Sequence, residues 1–320
     1  MHSKNQPPEP DVIVVCGATA TGKTAVAVAL SALIGGEIVN ADSMQVYRGM
    51  DIGTAKPTER ERANTAFHLL DIAAPDHQLS VADWKQQAEY AVIDITVRGR
   101  VPVLCGGTGL YLRAFLDNWT LAETPASPQI RAELMEAVAR EGAAQLHSRL
   151  REVDPPTAAR LHPNDAMRVV RALEVYLVTG TPISRFQEQD RASQKPRHAQ
   201  RFGLTAARPV LNARIDARVD AMLDAGFVAE VRELLQQGYT GDLGPMKSLG
   251  YKEIVGYLGG KLSYAAAVEE IKVHTRRYAK RQQTWFRADA LIQWLDVSEL
   301  SSAEVAAQIH EQLVEAGLPA

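Results

Sequence analysis

The chain is short of several things, and each shortage removes a class of protein. It has two cysteines in 320 residues, too few to staple a fold of this size or to build a thiolate metal centre. Cys16 and Cys105 each sit in an apolar, strand-like run. They are expected as reduced core thiols, which fits a cytoplasmic protein. No apolar run approaches the ~20 residues of a membrane helix. The opening MHSKNQPPEP is polar and proline-rich, without a signal peptide's apolar stretch, and is expected as a loose tail. An excess of one charge is missing too: the formal net charge is −3. The whole chain therefore carries no nucleic-acid signature, and any basic surface must be local. No internal repeat or low-complexity segment appears. Hydrophobic residues make up 46%, ample for one large core or two smaller ones.

What is present starts with one motif. Gly17, Ala18, Thr19, Ala20, Thr21, Gly22, Lys23 and Thr24 fit G-x-x-x-x-G-K-[ST]. The apolar run Val-Ile-Val-Val-Cys precedes them and a helix-like stretch follows, the context a P-loop requires. Glycines at the two ends let backbone N–H groups close around phosphate oxygens, at the positive end of the helix dipole. Lys23 is placed to neutralise phosphate, and the Thr24 hydroxyl to reach Mg²⁺. The motif predicts nucleotide or diphosphate binding, ATP included, without saying which.

The first third alternates strand and helix. Strands are expected over 11–16, 37–40 and 101–105, and helices over 23–33, 82–98 and 110–116. Ser80 with Asp83 three residues on reads as a cap for the second helix. Alternation of this kind implies right-handed crossovers and a parallel sheet. From 128 to 191 the periodicity is helical, with Pro128, Asp154-Pro155 and Gly180-Thr-Pro182 as punctuation. A strand over 201–206, two or three helices up to 287 and a strand over 290–295 complete the pattern. The expected fold class is α/β: a P-loop parallel sheet flanked by helices, with an all-α insertion. Its expected parts are a core over 11–118, the insertion over 119–198, and the rest of the core over 199–310.

The strand over 101–105 ends in Gly-Gly-Thr, without the metal-binding acid that an ATPase or GTPase usually carries there. The acid follows the neighbouring strand instead, as Asp42 in Val-Asn-Ala-Asp-Ser. Residues just past parallel strand ends line the ligand crevice, so Asp42 is a candidate general base or metal-supporting carboxylate. A plain helix cap is the alternative. Basic residues concentrate twice. Residues 191–220 hold Arg191, Lys195, Arg197, Arg201, Arg208, Arg214 and Arg218 against Asp216 and Asp220. The run from Lys272 to Arg287 interleaves Lys and Arg with Trp285 and Phe286. Such a helix is either a solvated face or a phosphate-contact surface.

Together these residues resemble the bacterial tRNA dimethylallyltransferases. The resemblance runs from the P-loop to the Trp285 helix. It is carried by GATATGKT, NADSMQVYRGMDIGTAKP, HLLDI, GGTGLYLRA, HPNDAMRVVRALEV, SLGYKEI and KRQQTWFR. Departures are small: Ala18 and Thr21 in the P-loop, and Gly244-Pro-Met before the GYKE turn. No zinc-finger tail like that of the eukaryotic relatives is expected, in keeping with the two cysteines.

The resemblance implies transfer of a dimethylallyl group from dimethylallyl diphosphate to N6 of the adenine beside the anticodon of tRNA, with Mg²⁺. It puts Thr108 against the acceptor or diphosphate and Arg214 on the diphosphate, with the P-loop holding the leaving group. It assigns tRNA contacts to Asp42, Ser43, Met44 and Gln45, to Thr108, and to Arg131. It assigns them also to Met167, Arg168, Val169, Val170 and Arg171, and to Lys247, Ser248, Leu249, Gly250, Tyr251 and Lys252. The last group is Lys280, Arg281, Gln282, Gln283, Thr284, Trp285, Phe286 and Arg287. The helical insertion is expected on the anticodon stem, and the chain is expected as a monomer without membrane contact. Open alternatives are an adenylate prenyltransferase, a P-loop small-molecule kinase, and an RNA-binding module with a decayed P-loop.

Overall fold

The computed structural model describes residues 12–119, 127–193 and 195–317. The first strand is β1 (Val12–Gly17), and α1 (Lys23–Ile34), β2 (Gly36–Asn40), α2 (Glu59–Asn64) and β3 (Phe67–His68) follow. The chain continues through α3 (Val81–Val97), β4 (Val101–Gly106) and α4 (Gly109–Leu116). Five helices come next: α5 (Pro128–Glu141), α6 (Ala143–Val153), α7 (Pro155–Arg160), α8 (Ala166–Thr179) and α9 (Ile183–Ser193). Then come β5 (Ala199–Thr205), α10 (Arg208–Asp224), α11 (Phe227–Gln236), α12 (Tyr251–Leu258), α13 (Tyr264–Arg287), β6 (Ile292–Asp296) and α14 (Ser302–Glu315). Residues up to Leu116 and from Arg197 form one compact unit; Asp117–Pro196 form a second.

In the first unit all six strands are parallel, in the order β3-β2-β4-β1-β5-β6. β1 is buried on both faces, so it reads as an unbroken apolar run. Its side chains alternate: Val12, Val14 and Cys16 join one core, Ile13 and Val15 the other. The chain leaves β1 toward β2 on one side and later returns to β5 on the other. That divergence opens a crevice beyond the carboxyl ends of the central strands. Trp84 of α3 is fully buried, stacks on Tyr111 at 4.5 Å and donates from Nε1 to the Asn40 carbonyl at 3.0 Å. A side chain of that kind is worth about 3–5 kcal/mol. It fastens α3 to the end of β2, beside the crevice.

The second unit is the five helices α5–α9, with no strand among its described residues. Pro128 follows the Ser127 cap of α5, Asp154 caps α7, and left-handed Gly180 (φ 69°) ends α8. Leu134, Leu146, Leu150, Val169, Val170 and Leu173 form its core.

Several expected boundaries move. Asp11 lies outside the described residues. β4 gains Gly106 because pairing with β1 reaches Cys16, and β5 starts at Ala199 because β1 pairs along its whole length. Four helices, not two or three, lie between β5 and β6, because Gly226 and the turn before Gly250 break what periodicity joins. β3 and α2 were not expected, being too short to show a period, and neither was α14.

Candidate active site

The P-loop leaves β1 through Gly17 (φ 149°), where a Cβ would stand 2.6 Å from the Leu204 carbonyl of β5. Only glycine lets the loop begin that close to the sheet. Ala20 takes a left-handed φ of 64°, mild strain of the kind found in ligand loops. Thr21 Oγ1 donates to the Ala18 carbonyl at 2.8 Å, a bond that closes the loop on itself. The Ala20 and Gly22 N–H groups make no hydrogen bond among the described residues, so they remain available to an anion. Gly17, Ala18 and Thr21 are buried beneath the loop. The expectation that these three face the ligand is corrected: they shape the cradle, while Thr19, Ala20, Gly22, Lys23 and Thr24 line it.

Asp42 lies across the crevice. No helix follows it, so the helix-cap alternative falls. Its Oδ1 instead accepts from the N–H groups of Met44 (2.9 Å) and Gln45 (3.4 Å), forming a turn. Its Oδ2 makes no hydrogen bond among the described residues, and Asp42 lines the cavity. The turn is pinned on three sides. Asn40 donates to Leu69, Ala41 donates to Cys105, and Thr108 Oγ1 accepts from the Ser43 N–H at 2.9 Å. Thr108 therefore fastens the Asp42 turn from behind. Its carbonyl accepts from Tyr111 and Leu112 at the start of α4.

Two helices close the crevice. α10 presents Ile215, Arg218, Val219 and Met222; α13 presents Ile271, Thr275, Tyr278 and Gln282. Both sets recur at helical spacing. Gln282 is buried and bridges the two loops: it accepts from the Thr19 N–H at 2.8 Å and donates to the Gly107 carbonyl at 2.9 Å. The cavity measures about 550 Å³. It is polar where Lys23, Thr24, Asp42, Arg218 and Gln282 meet. It is apolar along Val219, Met222, Phe227 and Ile271.

Lys23 and Arg218 carry the electrostatic message. Among the described residues neither forms an ion pair. Lys23 Nζ reaches only the Ala18 carbonyl, at 3.4 Å. Burial, then the like charge of Arg218, holds the Lys23 ammonium below the usual lysine pKa, against the pull of Asp42. Arg218 is lowered by burial in the same way. Two unpaired cations beside one carboxylate want an anion. Burial, then Asp42, pushes the Tyr278 phenol up, so it stays a neutral wall. Thr24 Oγ1 has no partner among the described residues. On the cavity lining it offers one hard oxygen of the kind Mg²⁺ takes, and diphosphate oxygens supply others, so the site fits that ion.

Arg214 needs a correction. Its guanidinium donates to the carbonyls of Val297 (2.8 Å) and Ser298 (3.0 Å), tying α10 to the turn after β6. Arg218, one turn further along, is the arginine in the cavity. Val169 and Val170 are buried in the helical unit, and Phe286 in the core, so they cannot meet an external ligand. Gln282 is consumed by its bridge. Tyr251 is buried with its hydroxyl donating to Glu230 at 2.6 Å; it lines the cavity rather than the surface. Ser248, Leu249 and Gly250 also line the cavity, and Gln45 spends its amide on the Thr54 and Ala55 carbonyls. Arg131 and Arg171 both bond to Glu174. Met167, Arg168, Lys247, Lys252, Lys280, Arg281, Thr284, Trp285 and Arg287 are exposed, and Gln283, Met44 and Ser43 partly so. The basic run over 191–220 disperses: Arg197 pairs with Glu89 and Arg201 with Asp289. Beyond Arg218, the parts unread from sequence are Gln282's bridge, Phe227 and the loop over 53–56. The helical spacing of Arg218 from Ile215 and Met222 could have signalled that arginine, and the DIGTAKP string the loop over 53–56.

Residues 45–289 match the family model described as IPP transferase. The chain is 49% identical over 286 residues to a tRNA dimethylallyltransferase of Geobacter sulfurreducens, covering 89% of this chain and 91% of that one. It is 45% identical over 308 residues to one of Pelotomaculum thermopropionicum, covering 96% and 97%. The crystal structure of a tRNA isopentenylpyrophosphate transferase of Bacillus halodurans superposes with a TM-score of 0.71 at 39% identity, covering 95% of this chain and 96% of that one. A eukaryotic dimethylallyltransferase solved acting on tRNA gives a TM-score of 0.79 at 27% identity, covering 97% and 80%.

Proposed function

The chain belongs to the IPP transferase family, and from that premise we propose that it moves a dimethylallyl group from dimethylallyl diphosphate to N6 of the adenine beside the anticodon of tRNA. The single observation that carries this reading is the cavity's polarity. Two cations and a carboxylate with one unengaged oxygen, none of them ion-paired among the described residues, share its lining with the apolar side chains of Val219, Met222, Phe227 and Ile271. A diphosphate with a short hydrocarbon tail matches that mixture.

Lys23, Arg218 and the free N–H groups of the P-loop bind the diphosphate. Each donor is in place before charge builds on the leaving oxygens; losing one such donor costs roughly 3–4 kcal/mol. Thr24 would hold Mg²⁺, which when bound would supply further positive charge to the leaving group. The bond between the allylic carbon and the diphosphate oxygen breaks, and its electron pair leaves with diphosphate. The N6 lone pair forms the new C–N bond. N6 is a weak nucleophile because its lone pair is delocalised into the ring. Asp42 Oδ2 accepts the N6 proton, while Oδ1 stays bonded to Met44 and Gln45 and keeps the carboxylate aimed. The adenine reaches the cavity by leaving its stack, which costs a few kcal/mol in a loop. Exposed Lys280, Arg281 and Arg287 meet phosphates of the tRNA, and Met167 and Arg168 offer a further surface on the helical unit. Among the described residues no helix is long and apolar enough to cross a membrane. Reduced buried thiols at Cys16 and Cys105 support a cytoplasmic location.

The test offers labelled dimethylallyl diphosphate and Mg²⁺ with tRNA, with AMP, or with ATP plus a nucleoside. Label in tRNA alone is expected. Label in AMP but not tRNA would make the chain an adenylate prenyltransferase, and phosphate transfer would make it a kinase.

A further inference from the structure

We propose that Glu230 is a positioning residue: from behind the cavity it fixes the wall of Gly53, Phe227 and Tyr251, and so limits the length of prenyl chain the site accepts. The inference rests on the assignment of the cavity's apolar wall to the prenyl group.

Glu230 stands on α11 and does not itself line the cavity. Its two oxygens accept four hydrogen bonds. Oε2 takes the N–H groups of Asp51 (2.9 Å) and Ile52 (2.6 Å). Oε1 takes the Gly53 N–H (3.1 Å) and the Tyr251 hydroxyl (2.6 Å). Among the described residues no cation lies within ion-pair distance of it. Its charge is satisfied entirely by three successive backbone amides and a phenol, from segments far apart in the sequence. Such a carboxylate locks two pieces of chain in one geometry.

The wall it locks has no slack. A Cβ on Gly53 would run into the Phe227 ring and stand 2.6 Å from the Tyr251 ring. The two rings meet edge-on, 5.0 Å between centroids. A Cβ on Gly250 would stand 3.1 Å from Phe227. The rings therefore rest on bare backbone, and Glu230 pins that backbone. A tail longer by one isoprene unit must push a ring into amides that cannot retreat. Hydrophobic pockets discriminate about 10–200-fold per methylene when the fit is this close.

The test uses the full chain with Mg²⁺ and tRNA, and compares kcat/KM for dimethylallyl diphosphate and geranyl diphosphate. Wild type is expected to prefer the shorter donor. Phe227→Leu should reduce that preference at least about tenfold, and Glu230→Gln should shift it the same way by about threefold or more. A role confined to stability lowers both donors together and leaves the ratio alone. An unchanged ratio in folded Glu230→Gln overturns the proposal. So does a raised KM for tRNA at constant ratio, which would give the wall to the acceptor, or a wild type that accepts both donors equally. If Phe227→Leu fails to fold, Glu230→Gln decides alone. A wild type that prenylates no tRNA defeats the functional assignment itself, a result distinct from any of these.

Discussion

Two carboxylates, one in each compact unit, keep company with cations and end in opposite states. Glu174 of α8 is fully buried and completely engaged. It accepts from the Ser127 N–H at 2.9 Å, from Arg131 at 2.8 Å and from Arg171 at 2.9 Å. Asp42 has one oxygen bonded to its own turn and the other without a hydrogen bond among the described residues. Lys23 and Arg218 nearby have no carboxylate within ion-pair distance among the described residues. The difference separates structure from chemistry. A charge whose partners are all internal holds the fold together, whereas charges left unpaired in a cavity await something from outside. Arg171, inside a family-specific string, falls in the first group, while Arg218, outside every such string, falls in the second, so the strings do not sort arginines.

The comparison predicts its own largest effect at Asp42. Asp42→Asn keeps an oxygen for the Met44 N–H and removes the base. Turnover should fall by about 10²–10⁴, with tRNA affinity nearly unchanged. Equal losses in rate and affinity would place Asp42 with Glu174, as a structural carboxylate. Next comes the pair of arginines on α10. Arg218→Ala should raise the KM for dimethylallyl diphosphate by about tenfold to a hundredfold, the worth of one charged hydrogen bond, at constant melting temperature. Arg214→Ala should leave that KM alone and lower stability by about 1–2 kcal/mol, since two backbone carbonyls lose their donor. The reverse pattern would return Arg214 to the site.

The same contrast explains what could be read beforehand. The P-loop was legible because its glycines, lysine and threonine must be contiguous. Asp42 was legible because strand ends in a parallel sheet line the crevice. Arg214 and Arg218 lie four residues apart on one helical face, about 6 Å along the axis. Which of them meets the cradle depends on how far α10 slides past β6, and no local pattern records that. Within Met167–Arg171, motif contiguity concealed helical rotation: residues 169 and 170 turn inward while 167 and 168 turn out. Gln282's bridge spans 263 residues in sequence to Thr19 and leaves no trace in either segment. Glu230's four bonds are hidden for the same reason.

The smallest effect tests the paired side of the comparison. Burial alone would raise the Glu174 pKa, but the hydrogen bonds from Arg131, Arg171 and the Ser127 N–H outweigh it and hold the group below the usual carboxylate value. A depressed folded pKa means that the ionised pair stabilises the fold fully above the unfolded value, near 4.5. That contribution is lost as pH falls through the folded value. Glu174→Gln should therefore cost the helical unit about 2 kcal/mol at pH 7, less than a wholly buried pair because both arginines are about one-third exposed. The gap between wild type and variant, followed by thermal melting, should narrow steadily below pH 4.5 as the wild-type carboxyl takes up its proton. A gap that stays constant from pH 7 to pH 3 would mean that Glu174 acts through shape alone, and the contrast with Asp42 would then rest on packing rather than charge.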